Sequence, residues 1–462
     1  MAGELQDVLR EVDRGINESI VALQRVVQQP SISSQSIGVR ECAELLVSMM
    51  TDLGVEARVM ETEGMPVVYG EIQSPRPDAP TLVIYNHYDV QPPEPLEEWD
   101  YPPFGAEIVD SVMYGRGTTD AKGNLLCHLR AIAAYRDAGV DLPCNIKLVF
   151  DGEEESGSPS LPGWVKANTD LLKADAALSF DGGFGGSNRP RINFGSSGLL
   201  FVEIRARGAE KDLHSARARL VQNPAWRLVW ALSQLKGPDG RINLPGFYDA
   251  IRPVTALERG MLERSGWDDS AQQRDLGVES FIDGVSGVDA YERLLFTPTC
   301  NIAGFGTGWM GEGHKTVLPS RAACRLDFRL VADQDPQVIL QTLRAFLDDH
   351  GCEDFELEDM GSIEPSRTAL DNPFADVVVD AANAVYDVEP ETQPTGDASG
   401  RQGVWLGGML GGIPAAGTGV GPPAWCGHAA NEFMTLDHYR NGIRYAVTIW
   451  DMFGQRMKGT GA

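Results

Sequence analysis

The 462-residue chain, 42% hydrophobic and 23% charged with 51 glycines and 28 prolines, has the composition of a globular protein and exceeds what one hydrophobic core usually serves, so two domains are expected. Its net charge of -27 excludes the basic surface that tight binding to nucleic acid or to an anionic membrane demands. Seven scattered cysteines without a Cys-x-x-Cys pair, no apolar run approaching a membrane span, and an opening segment without the apolar stretch of a secretion signal predict a cytoplasmic protein.

Apolar residues recur at helical spacing from Leu5 to Gln29 and again from Val39 to Leu53. The short apolar run Thr81 to Tyr85 predicts a buried strand, and His87-Tyr88-Asp89 follows it, just past the carboxyl end where open α/β sheets place ligands. Asp89 is near enough in the chain to hydrogen-bond the His87 ring nitrogen that faces away from a metal. Gly115-Arg116-Gly117-Thr118-Thr119-Asp120 is a glycine-bracketed loop before a predicted helix from Gly123 to Tyr135. Asp120 there reads either as a helix cap or as a carboxylate that bridges two cations.

The predicted strand Asn145 to Phe150 runs into Asp151-Gly152-Glu153-Glu154-Glu155-Ser156-Gly157. Carboxylates packed there are costly unless hydrated or compensated by a cation. The run is therefore a solvated acidic loop, or one glutamate ligates a metal while its neighbour stays free as the base for a metal-activated water. A further strand, Ala176 to Phe180, ends at Asp181-Gly182-Gly183, and the alternation so far predicts a largely parallel sheet with crossover helices.

After Ser197 the pattern changes to long, partly alternating runs, Leu199 to Arg207 and Arg321 to Leu330, with helices from Pro224 to Leu235 and Pro336 to Asp348, as in an α+β insert. The polar stretch within Trp267 to Tyr291 reads as an exposed excursion. From Gly396 the chain is glycine-rich, and His428 stands in a polar loop before a last helix, Leu436 to Phe453. Because His428 belongs chemically with the early motifs, the expected boundaries are 1–196 and 391–462 for the first domain and 197–390 for the insert. The five stretches supply what two divalent metals need: imidazoles, carboxylates, one bridging carboxylate and a free base.

As a set, His-x-Asp at 87–89, Gly-Arg-Gly-Thr-Thr-Asp-Ala-Lys-Gly at 115–123, Glu-Glu-Ser-Gly at 154–157 and His-Ala-Ala-Asn-Glu at 428–432 resemble the M20 family of metallopeptidases, most of all its carnosine-dipeptidase branch. The resemblance covers nearly the whole chain. It implies an α/β fold of two domains: a di-metal catalytic domain with a mostly parallel central sheet sandwiched by helices, and an inserted α+β lid and dimerisation domain. It implies His87 and Asp181 on different metals, Asp120 bridging, Glu155 opposite Asp181, and His428 completing the site of Glu155. Glu154 is then the general base, Asp89 the orienter of His87, and the Asp120–Ala121 peptide cis.

In the insert, Asp212-Leu213-His214-Ser215 resembles the motif whose histidine reaches across a dimer interface to the partner's substrate. Asn301, Thr316 and Arg329 fall on positions that contact substrate, the arginine suited to hold a terminal carboxylate through a bidentate pair. Without the resemblance, Arg329 also reads as a solvent-facing strand residue. Ser399 stands in the counterpart of a Gly-Ser-x-Pro loop. The chain departs from the family at Ala216 in place of glycine, at His314 in place of a smaller residue, and at Gly400-Arg401, where the loop's proline is lost and a charge added. The expectation is a homodimeric di-metal amide hydrolase without nucleic-acid or membrane partners. Its two divalent ions are zinc, with manganese or cobalt as alternatives. It would cleave dipeptides or short peptide-like amides next to a free carboxylate, or alternatively deacylate N-acyl amino acids or xenobiotic amides.

Overall fold

The apolar runs Thr81–His87, Asn145–Asp151 and Ala176–Phe180 are buried along nearly their whole length, as strands covered on both faces must be. In the computed structural model, which describes residues 2–185 and 188–457, they lie in an eight-stranded mixed sheet. From one edge the order is Glu56–Met60, Val67–Ile72, Asn145–Asp151, Thr81–His87, Ala176–Phe180, Ala415–Thr418, Arg191–Asn193 and Glu391–Gln393. The four central strands, from Asn145–Asp151 to Ala415–Thr418, run parallel. Antiparallel pairings join the flanking strands to them on both sides, and the outermost two, Arg191–Asn193 and Glu391–Gln393, run parallel to each other. His87 is in register with Asp151, and Thr418 with Phe180, so the ends that carry His87, the acidic run and Asp181 share one edge of the sheet.

The chain divides into two units, Met1–Gly195 with Arg367–Pro394 and Arg401–Ala462, and Ser196–Ser366 with Thr395–Gly400. The return to the first unit thus comes at Arg367, where the sequence reading put it at 391. The cause is the helix Pro373–Tyr386, which packs against the final helix Leu436–Arg456 and buries Phe374, Val377, Val378, Ala381 and Ala382. Its amphipathic pattern would suit either unit. Asn372 caps its start by accepting hydrogen bonds from the Phe374 and Ala375 amides at 2.9 and 3.1 Å.

In the second unit, Thr299–Thr307, Arg321–Leu330, Gly198–Arg207 and Glu356–Ile363 form an antiparallel four-stranded sheet in that order. Along Arg321–Leu330 the alternate residues Ala322, Cys324, Leu326, Phe328 and Leu330 are buried, and the helices Pro224–Leu235 and Pro336–Asp349 pack on this sheet in one shared core. The excursion is only partly as the polar sequence suggests. Helix Asp269–Leu276 buries nothing, but Trp267 stacks on Tyr291 at 4.6 Å beside a small core of Leu262, Leu295 and Phe296. No helix among the described residues is long and apolar enough to cross a membrane.

One buried group gives the first unit a pH-dependent stability. His128, on helix Lys122–Ala138, packs against Phe180 and Trp450 with ring centroids 4.5 and 6.0 Å away, and neither ring nitrogen finds a hydrogen-bond partner among the described residues. Burial holds its pKa down to about 3. The folded state therefore keeps it neutral, while the unfolded chain takes up a proton below a pKa of about 6.5, so stability is lost as pH falls from there towards 3. Denaturant titrations should show about 2 kcal/mol lost to this group between pH 7.5 and pH 5. In His128→Leu that increment of the pH dependence should disappear.

Candidate metal centre

His87 closes its strand fully buried, with Nδ1 3.1 Å from the Asp89 carbonyl oxygen and 3.4 Å from Asp89 Oδ1. Its Nε2 makes no hydrogen bond, although Asp120 Oδ1 lies 3.0 Å and Asp181 Oδ1 3.7 Å away. On the other side of Asp120, Oδ2 lies 3.3 Å from His428 Nε2, which is also 3.3 Å from Glu155 Oε2. Two triads, His87–Asp120–Asp181 and Asp120–Glu155–His428, thus share Asp120. Donors bound at roughly 2.0–2.2 Å around a tetrahedral cation stand about 3.4 Å apart. The separations of 3.0 to 3.7 Å fit that spacing, and one Asp120 oxygen faces each triad.

The grouping corrects one expectation, that His87 and Asp181 belong to different metals. Their strands are parallel neighbours, so the residues at the two carboxyl ends meet. Asp120 is held in place by Glu432, whose buried carboxylate accepts hydrogen bonds from the amides of Gly117, Thr119 and Asp120 at 2.9 to 3.0 Å and from Arg116 Nη1 at 2.8 Å. Arg116 also donates to the Ala429 carbonyl at 3.0 Å. The same contacts bring the His428 segment to Asp120. The Asp120–Ala121 peptide is cis.

The three consecutive glutamates have three fates. Glu153 turns away and accepts from the Met65 and Ser160 amides at 3.0 and 2.6 Å. Glu155 joins the second triad and accepts from Gln91 Nε2 at 2.8 Å. Glu154 belongs to neither triad. The amides of Glu154 and Glu155 donate to the two oxygens of Asp89, each at 3.1 Å, so Asp89 fixes this turn as well as lying against His87. Gln402 Nε2 donates to Asp181 Oδ2 at 2.7 Å.

The electrostatics favour positive charge at the shared carboxylate. Burial alone would hold the His87 imidazole down, but the Asp120, Asp181 and Asp89 carboxylates outweigh it and raise its pKa well above the usual value. Asp120 and Glu155 push His428 up to about 10. Burial would raise Asp120, yet His428 and His87 hold it below the usual carboxylate range. Glu154 goes the other way: burial raises its proton affinity, His87 opposes, and Asp181, Asp89 and Asp120 add to the rise. A field that stabilises two cationic imidazoles stabilises divalent cations at the same donors.

The expected residues of the second unit form two groups. His214, exposed, pairs with Val317 across a short ladder and accepts from the Ala216 amide through Nδ1 at 3.2 Å, while the Ser215 amide donates to the Thr316 carbonyl at 3.2 Å. Asn301 donates to Asp327 Oδ2 at 3.3 Å, Arg329 Nε lies 3.6 Å from Asp327 Oδ1, and Arg329 Nη1 donates to Ser399 Oγ at 3.1 Å. Gln91, Gln402, Asp327 and the anchoring role of Glu432 escaped the sequence reading. Glutamines in polar loops carry no distinguishing signal, and Glu432 and Asp327 stood inside motifs with no reason to single them out.

Residues 83–451 match the model of peptidase family M20/M25/M40. The chain is 27% identical to the Cys-Gly metallodipeptidase dug1 of Schizosaccharomyces pombe over 97% of this chain and 98% of that one. Among solved structures, the M20 family metallo-carboxypeptidase Sso-CP2 from Sulfolobus solfataricus superposes with a TM-score of 0.84 at 36% identity, covering 95% of this chain and 99% of that one. Human carnosine dipeptidase 1 shares the fold, with a TM-score of 0.71 at 23% identity over 98% of this chain and 99% of that one.

The shared carboxylate makes the two triads unequal to mutation. Elemental analysis after dialysis should find divalent cation in the parent protein, none in Asp120→Ala, and half the parent content in His428→Ala, because only Asp120 serves both triads.

Proposed function

The chain belongs to peptidase family M20/M25/M40, and from that premise we propose that it is a cytoplasmic di-zinc dipeptidase that cleaves the amide bond next to a free carboxylate. The observation that carries this reading is the pair of triads sharing Asp120, with Glu154 beside them as an uncommitted carboxylate. Imidazole and carboxylate donors in compact sets suit zinc, with manganese or cobalt as the alternatives. His87, Asp120 and Asp181 would hold one ion, and Asp120, Glu155 and His428 the other. Such ions polarise a carbonyl and make a water acidic enough to lose its proton near neutral pH.

Glu154 then accepts the proton of the attacking water and delivers it to the leaving amine, a role its raised proton affinity suits. Asp89 keeps Glu154 in place through the amide hydrogen bond and His87 through its ring nitrogen. The dug1 enzyme is named a dipeptidase and Sso-CP2 a carboxypeptidase, and both reactions act on an amide beside a terminal carboxylate. In this chain Arg329, flanked by Asn301, Ser399 and Asp327, offers the guanidinium for that carboxylate, with Thr316 as a further polar contact. All seven cysteines are unpaired, which suits a reducing compartment.

A homodimer through the second unit completes the reading, since His214 is proposed to serve the partner's substrate and stabilise the developing oxyanion. Strand Thr299–Thr307 leaves one edge of its sheet open with Ile302 and Phe305 exposed, and Trp226 and Trp230 stack at 6.0 Å on an exposed helix face. Sedimentation should give a single species of twice the 50.1 kDa chain mass, and an active monomer would remove His214 from the site.

Turnover of a dipeptide panel against N-acyl amino acids tests the substrate class, and faster turnover of the latter would replace the dipeptidase reading by deacylation. Glu154→Ala should keep its metal content while kcat falls about a hundred- to ten-thousand-fold. Near-parental turnover in that variant would remove Glu154 as the base.

A further inference from the structure

The dipeptide Arg401-Gln402 lies where the chain departs from the expected loop, and its side chains hydrogen-bond to Asp181 and to the backbone that follows Glu155. Gln402 Nε2 donates to Asp181 Oδ2 at 2.7 Å. The other oxygen of that carboxylate, Oδ1, is the one 3.7 Å from His87 Nε2. Arg401 Nη1 donates to the Gly157 carbonyl and, at 3.2 Å, to the Ser158 carbonyl, the backbone that leaves the Glu154–Ser156 turn.

The backbone that presents the two side chains is fixed independently. Gly403 begins helix Gly403–Met409, and a Cβ built on it would sit 2.6 Å from the Ser179 amide nitrogen and 2.7 Å from the Leu178 carbonyl carbon. The helix start is therefore pressed onto the strand that ends in Asp181. Gln402 is its N-cap residue and so lies next to that contact.

We propose that Gln402 is a positioning residue that engages one oxygen of Asp181 and so presents the other, alone, to the cation of the His87 triad. Arg401 braces the turn that carries Glu154 and Glu155, so one dipeptide steadies parts of both triads. A neutral amide is the group this task requires. It restricts the carboxylate to one-oxygen coordination and leaves its full negative charge for the cation, whereas a cationic partner would compete for that charge. Nothing in the sequence signals the role, because a glutamine in a glycine-rich loop resembles any solvated side chain.

The inference rests on the di-metal reading, and its test uses metal binding in place of peptide turnover. Gln402→Met keeps the length of the side chain and removes the donor. In chelator-competition titrations with Zn2+ and with Co2+, this variant should lose about ten- to a hundred-fold in affinity for one equivalent and keep the other near the parental value. The visible spectrum of its Co2+ form should change in intensity as Asp181 becomes free to use both oxygens. Gln402→Glu, which sets a second carboxylate against Asp181, should weaken the same equivalent further. Parental affinities and an unchanged Co2+ spectrum in Gln402→Met would overturn the proposal, as would equal weakening of both equivalents with a lowered melting temperature of the apo-protein. If the parent itself bound no metal, the di-metal reading would fall instead, so the two failures are distinguishable.

Discussion

Glu432 carries a negative charge into a fully buried position, and the metal centre depends on how that charge is satisfied. Removing a carboxylate from water costs of order several kcal/mol unless it is paired and hydrogen-bonded. Here Arg116 supplies the countercharge and the loop amides of Gly117, Thr119 and Asp120 supply the hydrogen bonds. The bonds join segments 312 to 316 residues apart in the chain. These bonds join the two segments that carry Asp120 and His428. The carboxylate shared by the two triads is thus placed by a group that belongs to neither.

Much of the candidate centre was legible because several of its residues stand at strand ends. His87 and Asp181 each follow an apolar run, and in a parallel sheet such ends gather at one edge. What chain order could not show is which ends become neighbours. Strand Thr81–His87 lies between Asn145–Asp151 and Ala176–Phe180, which pairs His87 with Asp181 and leaves Glu155 to His428. The three glutamates of the acidic run were equally opaque. Their roles differ only through the backbone turn that Asp89 holds from a different strand end.

The domain boundary was misread for a related reason. Helix Pro373–Tyr386 has an apolar face and a well-formed cap, and these specify a helix without specifying what it packs on. Only its burial against the final helix, a contact far along the chain, assigns it to the first unit. Local signals predicted the elements themselves well, whereas Gln91 and Gln402, which carried no signal in the sequence, are hydrogen-bonded to Glu155 and Asp181 of the two triads.

The two halves of the centre differ in their access to water. His87 is fully buried, whereas the His428 side chain is 60% exposed and its backbone takes φ of 59°, a left-handed conformation that a non-glycine residue holds only when its surroundings require it. An ion held by Asp120, Glu155 and His428 would have an imidazole donor that faces solvent, whereas one held by His87, Asp120 and Asp181 would have an imidazole donor wholly inside the fold.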